Sequence, residues 1–289
     1  MTGSGMGCPD WPKCFGYWIP PTSIEQLPVD YKIQFKVAGK EIADFSAIKT
    51  WIEYINRLIG AFTGLIILVC FGLAIPHRKK YPGIFWYALL CLLLVALVGW
   101  LGSKVVSTNL MPGMITIHML GAVLVATAMI LAVSHTENRI LNLTKQQVPT
   151  LFLLRKVWMF SLALAFIQLI LGTQVREEID HIAQKIAGRE LWIEMLSWKF
   201  YVHRSLSLLI LGVALWIYKM SKFLQNPSLL LWSRHHLVLI LCAVIAGVVL
   251  AYLNMPAIVQ PLHLLIGVSV CCVLVYLGRM LYAPMKEQE

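Results

Sequence analysis

Charge is scarce in this sequence. Asp, Glu, Lys and Arg make up 13% of its 289 residues, where a soluble domain carries about 25%. With 59% of residues in the hydrophobic class, a soluble chain of this length could not wet its own surface. Disordered, collagen-like and nucleic-acid-binding proteins are excluded as well, because each needs a more polar or more repetitive chain. Acidic residues are the scarcer sign, 14 against 24 basic, which leaves a net charge of +10. In a chain whose mean hydropathy is +0.75, that surplus is read against a lipid bilayer. The first 48 residues lack any apolar run long enough for a signal-peptide core or a spanning helix.

What is present is a series of long apolar runs. A hydrocarbon layer about 30 Å thick requires about 20 residues of helix, and seven stretches qualify: Trp51–Ile75, Ile84–Ser103, Met114–Ser134, Val157–Val175, Phe200–Met220, His236–Leu253 and Ile258–Leu277. The fold class is therefore all-α, a polytopic membrane helix bundle. Short basic loops stay on the cytoplasmic side. Arg78, Lys79 and Lys80 fall between the first two spans, and Arg139, Lys145, Arg155 and Lys156 between the third and fourth. Lys219, Lys222 and Arg234 flank the loop between the fifth and sixth, and Arg279 and Lys286 lie at the end. The intervening loops are poor in bases or offset them with acids. Residues 1–48 are thus expected outside and the C-terminus in the cytoplasm.

The chain repeats itself. Asn56-Arg57 in the first span matches His203-Arg204 in the fifth at an offset of 203 − 56 = 147. Asn109 and His118 match Asn254 and His263, both as Asn-x8-His and both at an offset of 145, with a proline close behind each asparagine at Pro112 and Pro256. Duplicated halves are common in membrane proteins, and their sites form on the repeated elements. The first three spans correspond to the last three, and the fourth has no counterpart, which would lie just upstream of Met1.

Ionisable groups inside a bilayer are costly and face the bundle interior or a cofactor. His118, His203 and His263 each lie in the first turns of a helix entering from the outer face, so they share one depth. One such histidine alone reads as an interfacial residue bonded to a neighbouring helix; three at matched repeat positions point to ligands. Histidine pairs on facing helices hold a b-type haem. Arg57 and Arg204, one residue beyond the repeat position, either pair with haem propionates or snorkel to the headgroups. Glu53 precedes Asn56 by one turn on the same face. It is placed for proton transfer or water binding, or else simply favoured by the helix dipole. His77, His135, His181, His235 and His236 fall in loops or at cytoplasmic helix ends and are expected to be solvated. Cys70, Cys91, Cys242, Cys271 and Cys272 lie in apolar spans and read as packing residues. Cys8 and Cys14 lie on the oxidising side, which permits a disulfide, and no nearby histidine completes a metal site.

Taken together, Gly3-Ser-Gly-Met-Gly-Cys8-Pro-Asp-Trp-Pro-Lys-Cys14, Glu53-x-x-Asn56-Arg57, His118, His203-Arg204 and His263 resemble the haem A synthase family over essentially the whole chain. The resemblance implies eight membrane helices in two pseudo-symmetric four-helix halves. It implies a C-terminal half holding haem b through His203 and His263; Arg204, next to the first of them, is expected on its propionates. It further implies an N-terminal half that receives haem O and oxidises its C8 methyl to a formyl group with water-derived oxygen. The family's glutamate falls on Glu53 and its outer cysteine pair on Cys8 and Cys14; from their positions His118 and Arg57 are expected to hold the substrate, and Glu53 and Asn56 to act at the reacting water. Expected partners are the bilayer, haem O from a haem O synthase and a membrane electron acceptor such as a quinone. No nucleic acid is expected, and a homo-oligomer is left open. The expected location is the bacterial cytoplasmic membrane.

Two departures from the family stand out. The family reads Glu-x-x-His-Arg where this chain has Asn56, so the first half has His118 as its one histidine ligand. The family's first span runs directly into Val-Arg-x-Thr-Gly-Ser-Gly, whereas this chain opens Met1-Thr2-Gly3-Ser4-Gly5. The expectation is that Met1 is an internal methionine taken for the start, which in-frame upstream DNA tests. The expected organisation is an extracytoplasmic loop at 1–48, an N-terminal half-bundle at 49–134, a cytoplasmic linker at 135–156, a C-terminal half-bundle at 157–282 and a tail at 283–289. Rival readings are a non-catalytic membrane cytochrome b and a haem-handling or oxidase-assembly protein.

Overall fold

The computed structural model describes residues 7–111, 113–137, 140–183, 185 and 188–288. The opening stretch from Met1, Pro112 of the repeated motif and the loop residue Arg139 lie outside the described residues. A short helix α1 (Tyr31–Gln34) precedes seven long ones: α2 (Ala47–Ala74), α3 (Pro82–Ser107), α4 (Met114–Ser134), α5 (Val148–Ala183), α6 (Trp198–Phe223), α7 (Pro227–Tyr252) and α8 (Val259–Leu281). Among the described residues, these seven are long and apolar enough to cross a membrane. The chain is an all-α polytopic membrane bundle.

Helix ends differ most from the hydropathy reading in α5 and α7. At 36 residues α5 is about 54 Å long, so it outruns the hydrocarbon layer. Charged residues near its ends are engaged, one by α8 and one within α5 itself. Arg155 Nε donates to the Leu281 carbonyl at 2.9 Å, and Arg176 pairs with Asp180 at 3.6 Å. Helix α7 begins nine residues before the predicted span: Pro227 occupies the first turn and Asn226 Oδ1 accepts from Leu229 N–H, a favourable start on both counts. One expectation is thereby overturned. His236, read as a solvated helix end, lies well inside α7 and is fully buried.

The chain divides into two compact units, one ending at Ala128 and the other starting at Met129. In the first, Ile67 of α2, Cys91 of α3 and Val125 and Ala128 of α4 form a buried cluster. Ahead of α2 the N-terminal segment builds a small core of its own from Cys8, Cys14, Phe15, Leu27 and Tyr31, with Phe35 and Phe45 packed against it. Lys32 bonds Asp44 at 2.5 Å on its exposed rim. That hydrogen bond raises the Lys32 pKa and holds the Asp44 carboxyl below its ordinary range.

In the second unit α5, α6, α7 and α8 pack in succession and α5 closes against α8, a four-helix ring. Two short strands, β1 (Leu141–Thr144) and β2 (Met285–Gln288), pair in parallel with Leu141 opposite Met285. They join the segments read from sequence as linker and tail, and bury Leu141 and Leu143.

The repeated Asn-x8-His motif now has a backbone reason. Asn109 and Leu110, and likewise Asn254 and Met255, take left-handed conformations at the ends of α3 and α7. Leu110 N–H bonds the Val105 carbonyl and Met255 N–H the Leu250 carbonyl, which closes each helix five residues back. Asn tolerates this conformation better than most residues. The turn therefore sets a fixed distance from each asparagine to the histidine on the next helix.

Candidate functional site

In the C-terminal unit, His203 of α6 and His263 of α8 face each other, ring centroids 6.4 Å apart and planes at 79°. Each ring lies against a glycine of an adjacent helix. A methyl placed on Gly172 of α5 would stand 3.2 Å from His203 Cε1, and one on Gly247 of α7 would stand 3.5 Å from His263 Cε1. Each ring also faces the main chain one turn before that glycine, at Gln168 and Ala243. The Nδ1 atoms of both histidines are buried without an aligned hydrogen-bond partner. Gln168 further ties α5 to the His203 turn of α6, its Nε2 donating to the His203 carbonyl at 3.0 Å.

This arrangement passes a simple test for a six-coordinate haem iron. An imidazole nitrogen binds a metal at about 2.0 Å, so two rings across one iron stand roughly 6 Å apart at their centres. The observed separation fits, and the orphaned Nδ1 atoms are the ones a ligating imidazole turns toward the protein. Arg204 is exposed, its guanidinium resting over the rings of Tyr201 at 5.4 Å and Phe200 at 5.8 Å.

The N-terminal unit carries the same device once. His118 of α4 lies against Gly102 of α3, where a methyl would stand 3.2 Å from Cε1. Its ring faces the Val98 main chain, again one turn before the glycine, and its Nδ1 is buried and unpartnered. Asn56 is exposed on α2.

Glu53 and Arg57 are committed to the cysteine loop. Glu53 Oε2 accepts from the backbone N–H of Gly7 at 2.6 Å and of Cys8 at 3.1 Å, while Oε1 pairs with Arg57 at 2.5 Å. Arg57 in turn donates to the carbonyls of Asp10 at 2.6 Å, Lys13 at 2.9 Å and Cys8 at 3.3 Å. Cys8 and Cys14 form a disulfide. Thr50 Oγ1 donates to Gly7 O, and a side chain at Gly7 would collide with the Lys49 carbonyl. The cysteine loop thus lies along the first turns of α2, held by one acid and one base. The sequence places Glu53 at the reacting water and Arg57 on a haem propionate; in the structure the polar atoms of both meet the loop.

Sequence reading did not single out Gly102, Gly172, Gly247 or Gln168. A signal existed: 118 − 102 = 16 and 263 − 247 = 16, a Gly-x15-His spacing present in both halves.

The fold defines a polytopic helical membrane protein in which two histidines on separate helices face each other. The model of one family, the cytochrome oxidase assembly proteins, matches residues 1–275, and this chain belongs to that family. It is 29% identical over 165 residues to a protein named heme A synthase in Shewanella oneidensis, covering 56% of this chain and 46% of that one. Proteins of the same name in Bartonella bacilliformis (29% over 140 residues, 43% of this chain and 38% of the relative) and Orientia tsutsugamushi (31% over 118 residues, 38% and 32%) are also similar. The chain thus spans less than half the length of the curated relatives it matches. No solved structure matches it significantly.

Proposed function

We propose that this chain is a haem A synthase, oxidising the C8 methyl of haem O to a formyl group. The net change, CH3 plus H2O to CHO, releases four protons and four electrons, so an acceptor of the quinone class is needed. The observation that carries the reading is the His203–His263 pair at 6.4 Å, set against glycines in the C-terminal half. His203 and His263 would hold haem b, which when bound supplies one-electron transfer.

Around that site the chain's residues have separate tasks. His118 holds and orients the substrate haem in the first half, its ring fixed against Gly102. Asn56, exposed on α2 and a poor iron ligand, hydrogen-bonds the water that attacks. Glu53 takes protons from that water when it is released from the Gly7 and Cys8 amides, so loop position and proton acceptance are linked in one carboxylate. Arg204, exposed over the rings of Phe200 and Tyr201, would hold a haem b propionate, and Arg57 would do so on the substrate side once it leaves Glu53 and the loop carbonyls that engage it.

Co-expressing the chain with a source of haem O, then extracting and resolving the haems, tests this. Haem A that disappears in Glu53→Gln supports the enzyme. Haem b alone makes the chain an electron-transfer cytochrome. Bound, unconverted haem O marks a haem-handling protein, the reading that Asn56 in place of the family's histidine favours.

A further inference from the structure

Three histidines in two units share one surrounding: a glycine one helix away, the main chain one turn before that glycine facing the ring, and a buried Nδ1 with no aligned partner. Gly102 and Gly247 stand at the 145-residue offset that separates His118 from His263, so the device repeats with the ligand. Helix propensity works against glycine here. Each one within a helix costs about 1 kcal/mol relative to alanine, and α3, α5 and α7 carry them at the contact with a ring.

We propose that Gly102, Gly172 and Gly247 are positioning residues that set the tilt of the three imidazoles and so aim their outer nitrogens at haem iron. The inference rests on the haem reading above. Its physics is steric. Without a Cβ, the helix lets the ring lie flat against its backbone, where Nδ1 can turn to a carbonyl, and the opposite nitrogen then points away from the wall. A methyl at 3.2 Å from Cε1 is tighter than ordinary contact, so at Gly172 and Gly102 the ring must tilt. At Gly247 the 3.5 Å separation is ordinary van der Waals contact, so the same substitution moves the ring less. The predicted order of effect is therefore Gly172 and Gly102 above Gly247. It also makes His118 an iron ligand of the same construction as His263, which Asn56 does not share.

The test uses the full chain purified with its haem. Gly172→Ala, Gly247→Ala and Gly102→Ala are compared with Gly212→Ala, a site on α6 with nothing within 4 Å of the added methyl. Readouts are haem retention, the low-spin absorption and electron paramagnetic resonance signature, and the midpoint potential. Gly172→Ala is expected to weaken haem retention on the order of tenfold, broaden the low-spin signal and shift the potential. Gly247→Ala should do so less, and Gly212→Ala not at all. Gly102→Ala should lower retention of added haem O while leaving the haem b spectrum intact.

Because alanine favours helix, thermal unfolding of the apoprotein should not fall. A lower unfolding temperature matched by equal losses in all variants would assign these glycines to packing and overturn the proposal. An unchanged spectrum and potential in Gly172→Ala, with wild-type haem present, overturns the positioning role alone. A wild-type chain that binds no haem overturns the functional reading, and the inference with it.

Discussion

Glu53 carries two demands on one carboxylate. Its side chain is about one-quarter exposed and Arg57's less, so their ion pair is partly shielded from water. Replacing Glu53 by alanine strips Arg57 of its counter-charge and frees the Gly7 and Cys8 amides. Losing hydrogen bonds to a charged group at this burial is worth about 2 kcal/mol before solvent screening reduces it. Amide hydrogen exchange over residues 7–18 should therefore rise in Glu53→Ala, with a smaller rise in Glu53→Gln, whose amide still accepts from the loop. Unchanged exchange in both would mean that the disulfide and Thr50 hold the loop without the acid. Glu53, Arg57 and the cysteine pair were all visible in sequence. Their mutual engagement was not, because residues 46 positions apart meet only when the loop folds back along α2.

At the scale of elements, the connections before α4 and α8 matter most. Each turn fixes how far along the next helix the histidine falls, so its stability bears on where that ring is placed. Asn254 at a φ of 54° holds a conformation that costs most residues about 1–2 kcal/mol. Asn254→Ala should lower the thermal unfolding midpoint of the chain, whereas Asn254→Gly should leave it level or raise it, as differential scanning fluorimetry in detergent can measure. Equal loss in both variants would show that the asparagine side chain, rather than its backbone freedom, is what the turn needs. The Asn-x8-His repeat was legible as a pattern; that it encodes a left-handed helix stop required the backbone.

For the whole molecule, the alternation of basic and poor loops predicts the sidedness. A reporter active only in the cytoplasm, fused after Glu289, should be active, and one active only outside should be silent there. The opposite result would reverse the assignment of every loop. Whichever side each loop takes, Phe62, Leu65, Val69 and Leu73 of α2, and Leu208, Leu215 and Trp216 of α6, keep large apolar side chains outward, where lipid replaces water.

Sequence alone determined the membrane class, the number of long helices present and the repeated positions of His118, His203 and His263. Each follows from local chemistry: a charge-poor run of about 20 residues is stable only in hydrocarbon, and a histidine kept within it needs a partner. Tertiary structure decided what those residues meet. It joined His203 to His263 at 6.4 Å, set three rings on three glycines, turned Glu53 and Arg57 to the cysteine loop and buried His236. Such contacts depend on the rotation and register of packed helices, which a pattern of hydropathy along one chain does not specify.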